Sequence, residues 1–215
     1  MKHSIMKKII SICLAFSLLI LCAIPSDAYS LVGAKVRIMQ GARSSMDFIP
    51  HKDFGATTIS HFNEACYLWN QASGYSLVTR SPTQRHSKTA FPRQDAMNTI
   101  YRSAVSDDYV AYTYRYVSHS IITEADINLN MSYKWANSAQ PNCFDVWTVF
   151  MHEVGHAIGI GHSSYASAVM YKYVYVNSTR RSLTSDDKNA VYANYHSWLF
   201  IAMRGVIRMK KQNGM

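Results

Sequence analysis

The order of segments along the chain agrees with an α+β domain, and four stretches carry that reading. Thr57 to Ala72 places apolar residues at Ile59, Phe62, Ala65, Cys66 and Trp69, a helical spacing that turns one face onto a sheet. Tyr109 to Val117 reads Tyr-Val-Ala-Tyr-Thr-Tyr-Arg-Tyr-Val, the aromatic and β-branched composition of a strand. Asp126 to Asn130 follows as the next strand, and Phe144 to Ile160 as a second major helix.

Ahead of this order lies a segment with a different purpose. Lys2, Lys7 and Lys8 precede an apolar run from Ile9 to Ile24, and Ser26-Asp27-Ala28 offers small residues at the −3 and −1 positions of a cleavage site. Residues 1–28 are therefore expected to be a signal peptide, with export of the remainder. An uncleaved anchor, or a lipoprotein attached through Cys22, is the alternative. Cleavage after Ala28 leaves residues 29–215, enough for one domain with a sizeable core. It also leaves no room for a folded inhibitory segment before the first expected strand, Lys35 to Met39.

The remaining elements follow in order. Gly74 ends the first helix. Ser81 to Arg93 holds Pro82 and Pro92 with Arg85, His86, Lys88 and Arg93, and reads as an exposed loop. A last helix is expected to begin with Thr184 as N-cap, with Asp186 and Asp187 favouring its dipole and Ala190, Val191 and Tyr195 facing inward. Residues 197–215 form a tail, apolar from Trp198 to Met203 and basic at Arg204, Arg208, Lys210 and Lys211. It is too short to span a bilayer, and either lies on a membrane surface or packs or frays as an ordinary terminus.

Cys13 and Cys22 would leave with the signal. Cys66 and Cys143 would then meet oxidising conditions, and an even count of two favours one disulfide, worth on the order of 4 kcal/mol by the chain-entropy model. Two buried free thiols, or a thiolate that blocks a metal, are the other readings. Removing the signal leaves 19 basic and 12 acidic residues, a balance of +7. This favours anionic cell surfaces or acidic lipid. No zinc-finger, helix-turn-helix or stacked-aromatic pattern accompanies the charge, so no nucleic-acid partner is expected, and the domain is expected to be a monomer.

Residues 152–162 read His-Glu-Val-Gly-His-Ala-Ile-Gly-Ile-Gly-His. On a helix, His152 and His156 lie about one turn and ~40° apart and can present nitrogens to the same ion. Glu153, rotated by ~100° from His152, faces instead the open fourth position, where a zinc-bound water would sit. Gly159 permits a positive φ that ends the helix and returns the chain, so that His162 becomes the third ligand. Three neutral nitrogens and one water describe a hydrolytic zinc site with Glu153 as general base. Glutamate occurs only at positions 64, 124 and 153, and the residue frequencies give roughly 10⁻⁵ chance matches to the pattern.

With Ser163 after the third histidine and Ser167-Ala168-Val169-Met170-Tyr171 beyond it, the motif resembles the metzincin metalloproteases and, among them, the matrixins. Thr123 to Asn130 and Leu183 to Asp187 resemble further matrixin segments, and the likeness spans roughly residues 35–195. It implies a twisted mixed sheet with two main helices, an active-site cleft and a C-terminal helix. It places Met170 in a tight turn beneath the histidines, as a floor and not a ligand. Residues 29–196 become a metzincin-like catalytic domain, and Tyr109 to Val117 the candidate edge strand against which a peptide pairs. Tyr171 to Val176 become a wall of the pocket for the side chain just beyond the scissile bond, where Lys172 either favours acidic residues or points to solvent.

Three departures stand out: Lys172 replaces the proline usual after Met-Tyr, no Pro-Arg-Cys-Gly switch is present, and no His-x-Asp cluster offers a second zinc site. Calcium is left without assigned ligands. The expected function is a secreted zinc-dependent endopeptidase acting on protein or peptide substrates; the alternative is a non-catalytic, zinc-containing adhesion protein.

Overall fold

The structure is a computed structural model, and it describes residues 28–38, 46–106 and 108–196. The expected signal peptide, apart from Ala28, and the 197–215 tail lie outside the described residues. The strands are β1 (Tyr29–Leu31), β2 (Lys35–Val36), β3 (Met46–Pro50), β4 (Val78–Arg80), β5 (Asn98–Ser103), β6 (Ala111–Ser118), β7 (Ile121–Asn130), β8 (Trp135–Ala136), β9 (Phe144–Asp145) and β10 (Ile160–Ser163). The helices are α1 (Ala56–Ser73), α2 (Val146–Ala157) and α3 (185–196).

β4, β3, β5 and β7 lie side by side and parallel, with β2 parallel to the start of β7. β6 runs antiparallel along the other flank of β7 and ends the sheet there. The expected α+β architecture with a mixed sheet is thus present, and the expected edge strand is at an edge. Alternation along β7 sorts its side chains. Ala125, Ile127 and Leu129 enter the apolar core, whereas Glu124, Asp126, Asn128 and Asn130 form a buried polar row on the opposite face. That row captures backbone N–H groups of the preceding connection: Glu124 accepts from Asp95 and Ala96, Asp126 from Arg93 and Thr99, Asn128 from Ser103, and Asn130 from Val105.

α1 buries Ile59, Phe62, Ala65, Cys66 and Trp69, the stripe expected from its spacing, and Gly74 closes it in the left-handed region at φ 72°. Its core face meets α2: the Phe62 and Phe150 rings lie 4.2 Å apart, and Trp69 Nε1 donates to Met151 O at 2.8 Å. α2 is shorter than the Phe144 to Ile160 expected, because Phe144 and Asp145 pair with β8 and Asp145 caps the helix by accepting from Thr148 N. The first expected strand is likewise reduced to Lys35–Val36.

Two expectations need correction. Cys66 and Cys143 are free thiols, not a disulfide; Cys66 lies on the core face of α1, where burial pushes its thiol up to about 12. The loop after Ser81 is not uniformly exposed. His86 is buried, donates from Nε2 to Ile100 O, and sets its ring edge-on to His51. Asn130-Met131-Ser132 has the residue pattern of an N-glycosylation site, but Asn130 is buried in the row on β7 and closed to modification.

α3 begins as expected, with Thr184 Oγ1 donating to Asp187 Oδ2 at 2.7 Å, but Asp187 does more than favour a dipole. Its carboxylate also accepts from Val169 N, Met170 N and Thr184 N, at 3.0, 3.0 and 2.8 Å. Removing a buried acceptor that serves four donors leaves them unpaired. Asp187→Ala is expected to lower the urea-unfolding free energy by on the order of 3 kcal/mol, against about 0.5 kcal/mol or less for the exposed neighbour Lys188→Ala.

Candidate active site

α2 and the turn behind it bring the three histidines together. Gly159, at φ 94°, reverses the chain, and a Cβ there would lie 2.1 Å from Ala34 O, so only glycine fits. The chain then enters β10, which pairs antiparallel with β1 and carries His162. His152 Nδ1 donates to Val169 O and His156 Nδ1 to Ile160 O, each at 2.8 Å. Because a carbonyl can only accept, both rings carry their proton on Nδ1 and turn a bare Nε2 toward the cleft.

His156 Nε2 lies 3.2 Å from His162 Nε2, and ligand atoms of all three rings fall within 4.8 Å of one another. The bare Nε2 of His156 thus faces the His162 ring across a gap that either a proton on His162 Nε2 or a cation between the rings fills. Nitrogens around tetrahedral zinc stand about 3.3 Å apart, given Zn–N distances of about 2.0–2.1 Å, so the trio fits such an ion. Burial holds the His152 imidazole down to about 4 and His156 well below its usual value; burial and then Lys172 lower His162. All three are thereby kept neutral, the form that can bind a metal.

Glu153 is buried beside them. Burial pushes its carboxyl up to about 7, while a hydrogen bond from Thr113 and the charge of Arg115 pull the other way. Thr113 Oγ1 lies 2.7 Å from Glu153 Oε2 and 3.0 Å from Glu153 O. Arg115 donates to His156 O at 2.7 Å. Both come from β6, where Ala111, Thr113 and Arg115 pair with Leu129, Ile127 and Ala125 and so share the face turned toward α2.

Met170 is fully buried beneath this helix. A Cβ on Gly155 would come within 2.3 Å of Met170 Sδ and 2.8 Å of Trp69 Cζ2, so the close approach of turn and helix requires glycine. Met170 is a floor, as expected. Above it opens a cleft of about 600 Å³ bordered by β6 on one side and by Tyr171 to Val174 and Arg180 on another.

The four residues singled out in the sequence, His152, Glu153, His156 and His162, therefore sit at one place. Thr113, Arg115 and Arg180 were not anticipated as parts of it. The available signal for the first two was their parity: two polar side chains at i and i+2 on the strand face that should have been apolar.

The matrixin family model matches residues 53–196, and the chain belongs to that family. Among individual relatives, it is 38% identical over 71 residues to matrix metalloproteinase-20 of Homo sapiens, covering 33% of this chain and 14% of the relative. It is 45% identical over 51 residues to karilysin of Tannerella forsythia, covering 24% and 10%, and 43% identical over 51 residues to metalloendoproteinase 1-MMP of Arabidopsis thaliana, covering 24% and 14%. The aligned stretches thus span a small part of these relatives' own length.

Zinc added to chelator-stripped protein is expected to bind at one equivalent per chain. At about 100-fold excess over its dissociation constant it should stabilise the fold by about 2.7 kcal/mol, read as a rise of a few degrees in the unfolding midpoint. His156→Ala should abolish the rise.

Proposed function

We propose that this matrixin is a secreted zinc endopeptidase in which His152, His156 and His162 hold the ion and Glu153 is the general base. The observation that carries the reading is the convergence of two bare Nε2 atoms and the third imidazole beside a buried carboxylate at the foot of an open cleft. When bound, zinc supplies Lewis acidity toward a carbonyl and brings the pKa of water to about 7.

The chain's own groups account for the rest. Thr113 ties up Glu153 Oε2 and leaves Oε1 free to take a proton from the attacking water and return it to the departing amine. Burial raises the Glu153 carboxyl toward the range in which it both takes and returns a proton, and a bound zinc dication would act in the opposite direction. Among the described residues β6 pairs with β7 alone, so its outer flank has backbone donors and acceptors for an extended peptide, the β-augmentation that the family resemblance implies. A peptide laid there passes over the histidines and points its next side chain at the wall formed by Tyr171 to Val174. Export rests on the leader-like residues 1–28; among the described residues no helix is long and apolar enough to cross a membrane.

Casein or a quenched peptide is expected to be cleaved by the refolded 29–215 chain and spared after chelation. Glu153→Gln should lower kcat by about 10²- to 10⁴-fold with zinc content unchanged. Retained zinc with no cleavage by the wild type would instead favour the adhesion reading. Thr113→Val should lower kcat by about tenfold or more at constant KM and zinc content, with Thr113→Ser recovering most of the loss.

A further inference from the structure

The cleft wall beyond the methionine turn carries two cations that form no ion pair among the described residues; the buried Asp187 carboxylate acts on Arg180 electrostatically, but its oxygens are taken by the N–H groups of Val169, Met170 and Thr184 and by the Thr184 hydroxyl. Arg180 is half-buried there, and Lys172 stands exposed eight positions earlier on the same wall. Arg180 is fastened in place: its backbone N donates to Thr148 Oγ1 at 2.8 Å, Nη1 donates to Ala168 O at 2.8 Å, and Nη2 donates to Tyr173 O. Its guanidinium carbon lies 5.7 Å from the centre of the Tyr171 ring, and the Lys172 ammonium lies 4.7 Å from that of Tyr173.

Neither cation enters an ion pair among the described residues, in contrast to Arg181 next in sequence, which pairs with Asp145. A guanidinium has five N–H donors in a planar fork, and the two bonds to loop carbonyls leave three unspent. The acidic groups bordering the cleft are Glu153, opposite Arg115, and Asp108, at the β6 side; the wall of Tyr171 to Val174 and Arg180 has none. An immobilised, partly desolvated guanidinium with free donors, backed by a second cation, is the arrangement that recognises a carboxylate.

We infer that this wall selects substrates with an acidic side chain, aspartate or glutamate, at the residue that follows the scissile bond, and that Arg180 and Lys172 are specificity-determining residues. Arg180 supplies the directional hydrogen bonds and Lys172 the attraction at the mouth. The inference rests on the endopeptidase reading above and adds the substrate class to it. Apolar contacts from Val149, Val169 and Val174 enclose the methylene stem of such a side chain while its carboxylate reaches the guanidinium.

The test uses a matched set of quenched peptides differing only in that residue, Glu, Gln, Leu or Lys, with the zinc-loaded 29–215 chain. The Glu peptide should exceed the Gln peptide by about 10- to 100-fold in kcat/KM, the range of a charge-assisted hydrogen bond, with the Lys peptide lowest. Lys172→Glu, at an exposed position, should cut the Glu-to-Gln ratio several-fold, and Arg180→Gln should bring it close to one. Equal turnover of Glu and Gln peptides, or a ratio indifferent to both substitutions, overturns the inference while leaving the endopeptidase reading intact. Affinity of uncleaved Glu and Gln peptides for the zinc-loaded Glu153→Gln variant reads the same selection without turnover. A wild type that cleaves nothing yet binds Glu over Gln by the same ratio supports the pocket and refutes the protease, and equal affinities refute the pocket.

Discussion

One carboxylate, that of Asp187, holds the turn on which the arrangement of the three histidines rests. It accepts the N–H groups of Val169 and Met170, so the turn cannot rotate without stranding them in an apolar interior. The carbonyl of Val169 in turn receives Nδ1 of His152, and the thioether of Met170 fills the space that Gly155 leaves. Orientation of a ring, contact between helix and floor, and the start of α3 are therefore consequences of one buried acceptor. A second acid, Asp186, does the same for the strand of the third histidine: it accepts from Ser163 Oγ at 2.7 Å and from Ala28 N at 3.2 Å.

The residues gathered at the foot of the cleft were legible in the sequence because they lie in one short stretch. Eleven residues from His152 to His162 contain both the ligand spacing and the glycine that lets the third imidazole return. The helices were legible through periodicity, and β6 through its tyrosines, since local composition decides both. What escaped was decided across the fold. Thr113 faces Glu153 from forty residues away, and Arg180 faces the cleft only because its neighbours' carbonyls hold it there. Asp187 was assigned to the dipole of its own helix, yet its main partners lie in the preceding turn. The disulfide failed for a similar reason: a count of cysteines carries no information on which way a helix turns them, and the stripe on α1 points Cys66 inward.

The two faces of β7 divide the labour of the domain. One face supplies the apolar bed on which α2 is laid, and hence the rigidity under the histidines. The other holds a long irregular connection by its amide groups, with Glu124, Asp126, Asn128 and Asn130 each answering backbone donors that would otherwise be unpaired. An alternating strand can do both at once because its period of two keeps the chemistries apart.

The free state of Cys66 and Cys143 bears on what holds the domain together. With Cys66 sealed inside α1's contact surface and unbridged to Cys143, no sulfur link among the described residues ties α1 to the approach to α2. Non-covalent contacts join these segments, and a reductant that unravels a stapled module finds no such staple between Cys66 and Cys143 to cut.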